Sequence, residues 1–281
     1  MTTMIKSLSY WSLKDGLANT HPIDDALITV KEAGYAGLEL CMGTEGVLNT
    51  QTTQGECETV RGKIEASSLK VETLASGLSW GTNPTSNDAA TRKKAIQLNQ
   101  AVLQRAAWLG VKSVLYVPGV VKSPISPDLV RYDKALERAR EGVDALLETA
   151  EKVGVELCLE NVWNGMFYSP VEMAQFVDSF KSDKLGVYFD IGNVLGYHQH
   201  PPHWIEILGK RIRRVHIKDF KQSIGSLDGF CDLLAGDVPW AQSIAALRNV
   251  GYDKTIVAEM IPWDAGVVKR TSAAMDIILA M

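Results

Sequence analysis

The sequence predicts a (β/α)8 barrel, and three observations carry that prediction. Short β-rich runs alternate strictly with longer helical patterns, eight times over. The chain has 281 residues, a normal length for one such barrel. Glycine follows several helical patterns, at Gly34, Gly110, Gly154 and Gly251, where a helix end favours a residue tolerant of positive φ. Strict alternation argues for a parallel sheet, and eight units argue for its closure. An open doubly wound sheet is the competing arrangement, but no G-x-G-x-x-G turn follows the first strand. No low-complexity segment or linker divides the chain, so residues 1–281 are expected to form one barrel domain.

The first strand is expected at 6–11, followed by a helix in 22–34. The second, 37–41, precedes a helix within 54–68, and the third, 70–75, precedes the long pattern 88–110. The fourth, 113–118, precedes a helix within 133–153. The fifth, 155–160, precedes 169–180, and the sixth, 185–190, precedes a short helix around 202–209. The seventh, 213–219, precedes 237–251, and the eighth, 255–260, precedes a terminal helix around 267–280. In each case the apolar period changes from two in the strand to about 3.6 in the helix.

Bulk properties narrow the function. Hydrophobic residues make up 46% and charged residues 22%, which supports a large core and argues against disorder. The net charge is −4 with no long basic run, so nucleic acid is a poor partner. Cys41, Cys57, Cys158 and Cys231 form no C-x-x-C pair, which fits reduced thiols in a cytoplasmic protein. No stretch has the length and apolarity of a signal peptide core or a membrane span, so no membrane partner is expected.

Active sites of such barrels lie at the C-terminal ends of the strands. Side chains alternate between faces, so each strand can be sorted by parity. In VELCLE, Val155, Leu157 and Leu159 face the helices and Glu160 ends inside. In LGVYFD, Leu185, Val187 and Phe189 face outward and Asp190 inward. In RRVHIKD, Val215 and Ile217 face outward, leaving His216 and Lys218 inward. In TIVAEM, Glu259 shares its face with Thr255 and Val257. Taken singly, an acid at a strand end is more often a helix cap or ion-pair partner, and Asp219, of opposite parity to His216, is read that way. Together, Glu160, Asp190, His216 and Glu259 arrive from four successive strands at one mouth. Three carboxylates there would repel one another without a cation. A set of three oxygen donors and one nitrogen suits Mn²⁺, Mg²⁺ or Co²⁺, with Zn²⁺ also open.

LCLENVWN, VYFDIGNV, VHIKDF, GDVPW and VAEM together resemble the xylose-isomerase-like sugar (phosphate) isomerase/epimerase superfamily. The resemblance is strongest from about 155 to 263. It implies a TIM barrel with one divalent metal, most often manganese, held by Glu160, Asp190, His216 and Glu259. It also implies proton transfer beside a carbonyl, with Glu160 and Glu259 as acid and base on a ketose, aldose or sugar phosphate. The free-ketose 3-epimerases carry a histidine where Asn193 stands, a second glutamate after the first, and an arginine after the metal histidine. This chain has none of these. The DIGN and HIKD spelling is more similar to the L-ribulose-5-phosphate 3-epimerase and hexulose-phosphate isomerase branch.

Trp11, Glu39, Trp163, Asn193, His198 and Lys218 are the candidate substrate-binding residues. The tryptophans offer aromatic faces to sugar C–H surfaces, or alternatively cap the barrel. Glu39 suits a hydroxyl or a structural bond. Lys218 suits an anionic oxygen or a nearby carboxylate. His198 lies with His200 and His203 in the loop after the sixth strand. The segments 42–57 and 221–237 are candidates for a lid or for homo-oligomer contacts. An inosose isomerase or dehydratase, or a keto-glycoside lyase, would use the same quartet. A non-catalytic sugar-binding barrel is the reading of a different class. The DNA-repair branch of the superfamily needs histidines on the early strands, which this chain lacks.

Overall fold

The structure is a computed structural model and describes residues 4–281. Its strands are β1 (Ile5–Ser9), β2 (Gly37–Met42), β3 (Thr73–Ser76), β4 (Ser113–Tyr116), β5 (Glu156–Glu160), β6 (Leu185–Asp190), β7 (Ile212–Ile217), β8 (Asp219–Phe220), β9 (Phe230–Cys231) and β10 (Thr255–Ala258). The helices are α1 (Ile23–Glu32), α2 (Gln54–Ser67), α3 (Leu78–Gly81), α4 (Ala89–Leu109), α5 (Tyr132–Val153), α6 (Pro170–Asp178), α7 (Pro201–Leu208), α8 (Trp240–Asn249) and α9 (Val267–Ala280). Strands β1 to β7 and β10 close a parallel barrel in which β10 pairs with both β1 and β7. This is the expected (β/α)8 TIM barrel.

Local chemistry explains where the helices start and stop. A reciprocal capping box of Thr53 and Glu56 opens α2. Asp88 accepts the amides of Ala90 and Thr91 at the start of α4, and Ser169 accepts that of Glu172 ahead of Pro170 in α6. Gly110 and Gly154 close α4 and α5 at φ of 76° and 78°. A side chain there would be strained, so glycine is the natural choice.

Alternation sorts the strands into two apolar layers. Leu157, Leu159, Val187, Phe189, Val215 and Ile217 join the layer between barrel and helices. Ala75, Leu115, Val117, Cys158 and Tyr188 fill the barrel interior. On β5, β6 and β7 the inward face therefore passes from a packed middle to a polar C-terminal end. On β5 the inward series runs Glu156, Cys158, Glu160. On β6 it runs Gly186, Tyr188, Asp190 and on β7 Arg214, His216, continuing to Lys218 beyond the strand. Register pairs Glu160 with Tyr188 and Asp190 with His216, the stagger of a sheared barrel.

Two elements were not foreseen. The four-residue α3 is too short to show a helical period, and the two-residue strands of the β8–β9 hairpin are too short to show alternation. Trp11 falls in a 3-10 turn after β1 rather than at the strand end. No helix among the described residues is long and apolar enough to cross a membrane.

Candidate active site

Glu160, Asp190, His216 and Glu259 meet at the C-terminal end of the barrel. One donor atom from each lies within 4.8 Å of the others, and all four residues are buried. Strand hydrogen bonding delivers them. Glu160 and Asp190 are the last residues of β5 and β6, and His216 sits one residue before the end of β7. Glu259 follows β10 but stays in register, because its amide donates to the Ile217 carbonyl at 3.1 Å. The next amide, Met260, donates to Ser12 Oγ at 2.7 Å, which ties this end to the turn after β1.

Asn161 supplies the link between the first two acids. Its side-chain amide donates to the Asp190 carbonyl and accepts the Asp190 amide, both at 2.8 Å. The side chain thus extends the β5–β6 ladder by one rung. Asn193 closes the same corner. Its amide donates to Asp190 Oδ1 at 2.9 Å, and its side chain donates to the Asn161 carbonyl at 3.0 Å. Asp190 Oδ1 is thereby occupied, and Oδ2 faces the cluster, where Lys218 Nζ lies 3.1 Å away.

Glu39 lies beneath the quartet and is fully buried. It accepts from His216 Nε2 at 2.8 Å and from the Tyr188 hydroxyl. It is not among the described residues that line the cavity, so a direct bond to a substrate hydroxyl is replaced by a bond to His216. With Nε2 turned to Glu39, Nδ1 is the ring nitrogen aimed at the acids. Nδ1 lies 3.6 Å from Glu160 Oε1 and 3.4 Å from Glu259 Oε2. An acceptor facing two acceptors is repulsive unless a cation or proton sits among them.

The electrostatics agree. Burial drives the Glu160 carboxyl up to about 7, with the charge of Glu259 adding to the push and His216 opposing it. Burial raises Asp190 as well, against the pull of Lys218. Burial would also raise Glu259, but Lys218 and His216 outweigh it and hold this carboxyl below its usual range. Burial would lower His216, yet Glu39, Glu160 and Glu259 together lift it well above its ordinary value. Lys218 Nζ sits 3.1 Å from Asp190 Oδ2 and 2.5 Å from Glu259 Oε2. Four carboxylates, counting Glu39, thus share one ammonium and one imidazole. The donor set, with His216 Nδ1 aimed at the acids, and the excess of carboxylates over cations fit one divalent cation.

Above the cluster opens a cavity of about 1180 Å³. Glu160 and Glu259 reach its wall, whereas Asp190 and His216 stay below. Among the sequence candidates, Trp11, Trp163, Asn193 and Lys218 line it. Trp163 is firmly held: its Nε1 donates to the Asn193 carbonyl at 2.9 Å and its ring packs against Phe220 and Phe230. Gly196 makes room for it, since a Cβ there would lie 2.0 Å from the indole. His198 is not among the described lining residues; it ends the 3-10 segment after β6 in a left-handed conformation. Its parity could not be read because the loop has no period. The segments 42–57 and 221–237 both contribute to the wall, through Thr44 in the first and Leu227 in the second.

Asp219 proves to be a structural anchor. Its carboxylate accepts from the amides of Phe220, Leu234 and Val238 and from Trp240 Nε1, at 2.9 to 3.2 Å. A Cβ on Gly236 would lie 2.2 Å from Asp219 Oδ1. GDVPW is thus the segment that closes on this buried acid, which fixes the loop bordering the cavity.

A family model described as Xylose isomerase-like TIM barrel matches residues 27–275. No curated protein matches the sequence significantly. Among solved structures, D-psicose 3-epimerase with D-tagatose from Clostridium cellulolyticum H10 is similar at TM-score 0.78 and 17% identity, covering 98% of each chain. An L-ribulose 3-epimerase is similar at TM-score 0.78 and 17% identity, covering 100% of this chain and 95% of that one. A 3-keto-D-glucoside 4-epimerase from E. coli is similar at TM-score 0.77 and 13% identity, covering 99% of this chain and 100% of that one. At these identities the likeness speaks to the fold. The matched model spans the strands that carry Glu39, Glu160, Asp190, His216 and Glu259, and the chain belongs to the Xylose isomerase-like TIM barrel family, a family of enzymes.

Proposed function

We propose that the protein is a divalent-metal-dependent sugar isomerase or epimerase that moves a proton at a carbon beside a carbonyl. The observation that carries this reading is the buried quartet at the cavity floor, of which Glu160 and Glu259 alone also face the cavity. Glu160, Asp190, His216 and Glu259 would hold the cation. Its oxygen-rich donor set with one imidazole favours Mn²⁺ over thiolate-seeking metals. When bound, the cation supplies Lewis-acid polarisation of the carbonyl and charge stabilisation of an enediolate.

The protein's own groups do the proton work. One of Glu160 and Glu259 takes the proton, and the electron pair of the broken C–H bond passes toward the carbonyl oxygen. The other returns a proton to the carbon. Return of that proton to the opposite face gives epimerisation; for isomerisation the first carboxyl instead delivers its proton to the neighbouring carbon on the same face, and the hydroxyl proton of the carbon first deprotonated passes to the former carbonyl oxygen. Trp11 and Trp163 offer aromatic faces to the sugar, and Asn193 and Lys218 offer polar contacts at the floor. The reaction class is supported by the activities of the structurally similar proteins, which are sugar epimerases. We take residues 1–281 as one barrel domain. Free Cys41, Cys57, Cys158 and Cys231 support a cytoplasmic setting.

The test is metal analysis of the purified protein, followed by exchange from D2O. Ketoses, aldoses and inososes, with and without phosphate, are incubated with the Mn²⁺-loaded protein, and deuterium at the carbon beside the carbonyl is read by NMR. Exchange that disappears on chelation and returns with Mn²⁺ is expected. Exchange that persists after complete chelation would sink the reading.

A further inference from the structure

The cavity is larger and more apolar than a simple sugar needs. At about 1180 Å³ it exceeds the ~300–1,000 Å³ of pockets that enclose drug-sized ligands, and a monosaccharide is much smaller than such a ligand. Its carboxylates and Lys218 gather at the floor, and apart from Thr44, Thr82, Lys94, Ser123 and Asp228 the outer wall is largely apolar. Toward solvent the wall is built by Leu17, Trp80, Ile125, Leu227, Phe230 and Ile261. Four of these are strongly exposed: Leu17 at 59%, Ile125 at 55%, Leu227 at 40% and Ile261 at 39%. Single exposed apolar residues are ordinary, but several around one mouth mark a surface meant to be covered. They come from separate places: the β1–α1 segment, α3, the β4–α5 segment, the β8–β9 hairpin and the segment after β10.

The charge pattern selects what covers them. Among the described lining residues outside the floor group, Lys94 and Asp228 are the charged ones, one of each sign, and no arginine is present. A phosphate would draw several donors, commonly arginine or a helix N-terminus. The outer wall therefore suits an uncharged group with flat or C–H-rich faces, which stack on aromatic and aliphatic side chains.

We propose, on the basis of the sugar reading above, that the substrate is a keto-sugar carrying an uncharged, ring-sized substituent, and that the outer half of the cavity holds this substituent. The substituent must leave the reacting carbonyl free. A glycoside oxidised at a ring carbon meets that condition, because its anomeric oxygen carries the second group while a ketone remains elsewhere on the ring.

The Mn²⁺-loaded full chain is assayed by deuterium exchange from D2O with matched probes. These are the phenyl and methyl glucosides oxidised to a ketone at one ring carbon, free ketohexoses, and ketohexose 6-phosphates. The phenyl probe is expected to exceed the methyl probe in kcat/KM by about tenfold or more, the scale of burying one aromatic ring. Trp80→Ala and, separately, Ile125→Ser are expected to bring that ratio toward one, through KM. Ile125 is exposed, so its variant reports on the wall even where Trp80→Ala disturbs folding. The proposal is overturned by a phenyl-to-methyl ratio near one in the unaltered protein. It is also overturned if a free ketohexose or its phosphate is the best substrate, or if both variants lower the two glycosides in parallel. Exchange on free sugars with no gain from the phenyl group removes only the substituent. Absence of exchange on every probe removes the sugar reading with it.

Discussion

The barrel holds a buried charged cluster at each end, and the two are built differently. At the N-terminal end, Arg214 is only 2% exposed and reaches Glu72 at 3.8 Å and Glu156 at 3.9 Å. Lys112 pairs with Glu72 at 2.7 Å, Ser113 donates to Glu156 at 2.5 Å, and Arg213 lies 3.9 Å from Glu156. Each acid there has its own cation, and both acids touch solvent. Burial would raise Glu72, but Lys112 and Arg214 outweigh it and its carboxyl is held low. At the C-terminal end the acids outnumber the cations, and Glu160 and Asp190 are pushed up instead. Cys158 and Tyr188 pack the barrel between the two clusters, one step from each end on β5 and β6. A balance of cations and acids, with the carboxylates partly solvated, is what a structural cluster needs. Incomplete pairing, aimed into a cavity, is the mark of a site that awaits a charge.

The sharpest way to break this comparison is to neutralise one acid at the deficient end. Glu259→Gln keeps the shape of the side chain and removes one of the two proton-transferring carboxyls and its charge at the metal site. Exchange into substrate is expected to fall by about 10²–10⁴-fold, the usual worth of a positioned acid or base. The fold should survive, because Lys218 keeps its contact with Asp190 at 3.1 Å and the amide can still accept from it; circular dichroism and thermal melting check this. Turnover within a fewfold of the unaltered protein would mean that the cluster does no chemistry.

The opposite end should respond in the opposite currency. Arg214→Met leaves Glu72 and Glu156 without their inner partner while filling the same space. Breaking a fully buried pair costs about 3–5 kcal/mol. Here the carboxylates are 17% and 21% exposed and the contacts are long, so about 2–3 kcal/mol is expected, read by urea unfolding. The kcat/KM should stay close to that of the unaltered protein. A large loss of activity with unchanged stability would erase the distinction between the ends.

How much of this was legible follows from what alternation encodes. Period-two patterning assigns Glu160, Asp190 and His216 to the interior because each sits on a strand with clean apolar partners, such as Leu157 and Leu159 or Val215 and Ile217. Glu259 is reached by the same rule even though β10 stops at Ala258, since its amide remains in the ladder. Alternation does not say which inward residues meet across the barrel. Glu39 shares a polar face with everything inside, and its partner His216 is 177 positions away. Asp219 was correctly separated from the quartet by parity, but its four donors come from a loop that has no period. His198 lies in a loop without a period as well, so alternation does not encode its direction. Arg214 carries the same parity as His216, yet only the register shift between Val187 and Tyr188 shows where it sits.

Glu39 is the residue that tests whether the deficient end is organised below the cavity as well as at its wall. It fixes His216 with Nε2 toward itself and Nδ1 toward the acids. A carboxylate behind a ligating imidazole sets its tautomer and raises its basicity, and losing such a partner costs about 10–100-fold in metal affinity. Glu39→Gln can still accept the Nε2 proton, so ring orientation should persist while the charge is lost. Mn²⁺ affinity, titrated by calorimetry, is therefore expected to weaken by about tenfold, at the lower edge of that range. Activity at saturating Mn²⁺ should recover most of its value, because Glu39 does not line the cavity. Unchanged affinity would leave Glu39 as a buried acid paired for structure alone, like Glu72 and Glu156 at the far end. The contrast between the ends would then rest only on the residues that meet the cavity and the cation.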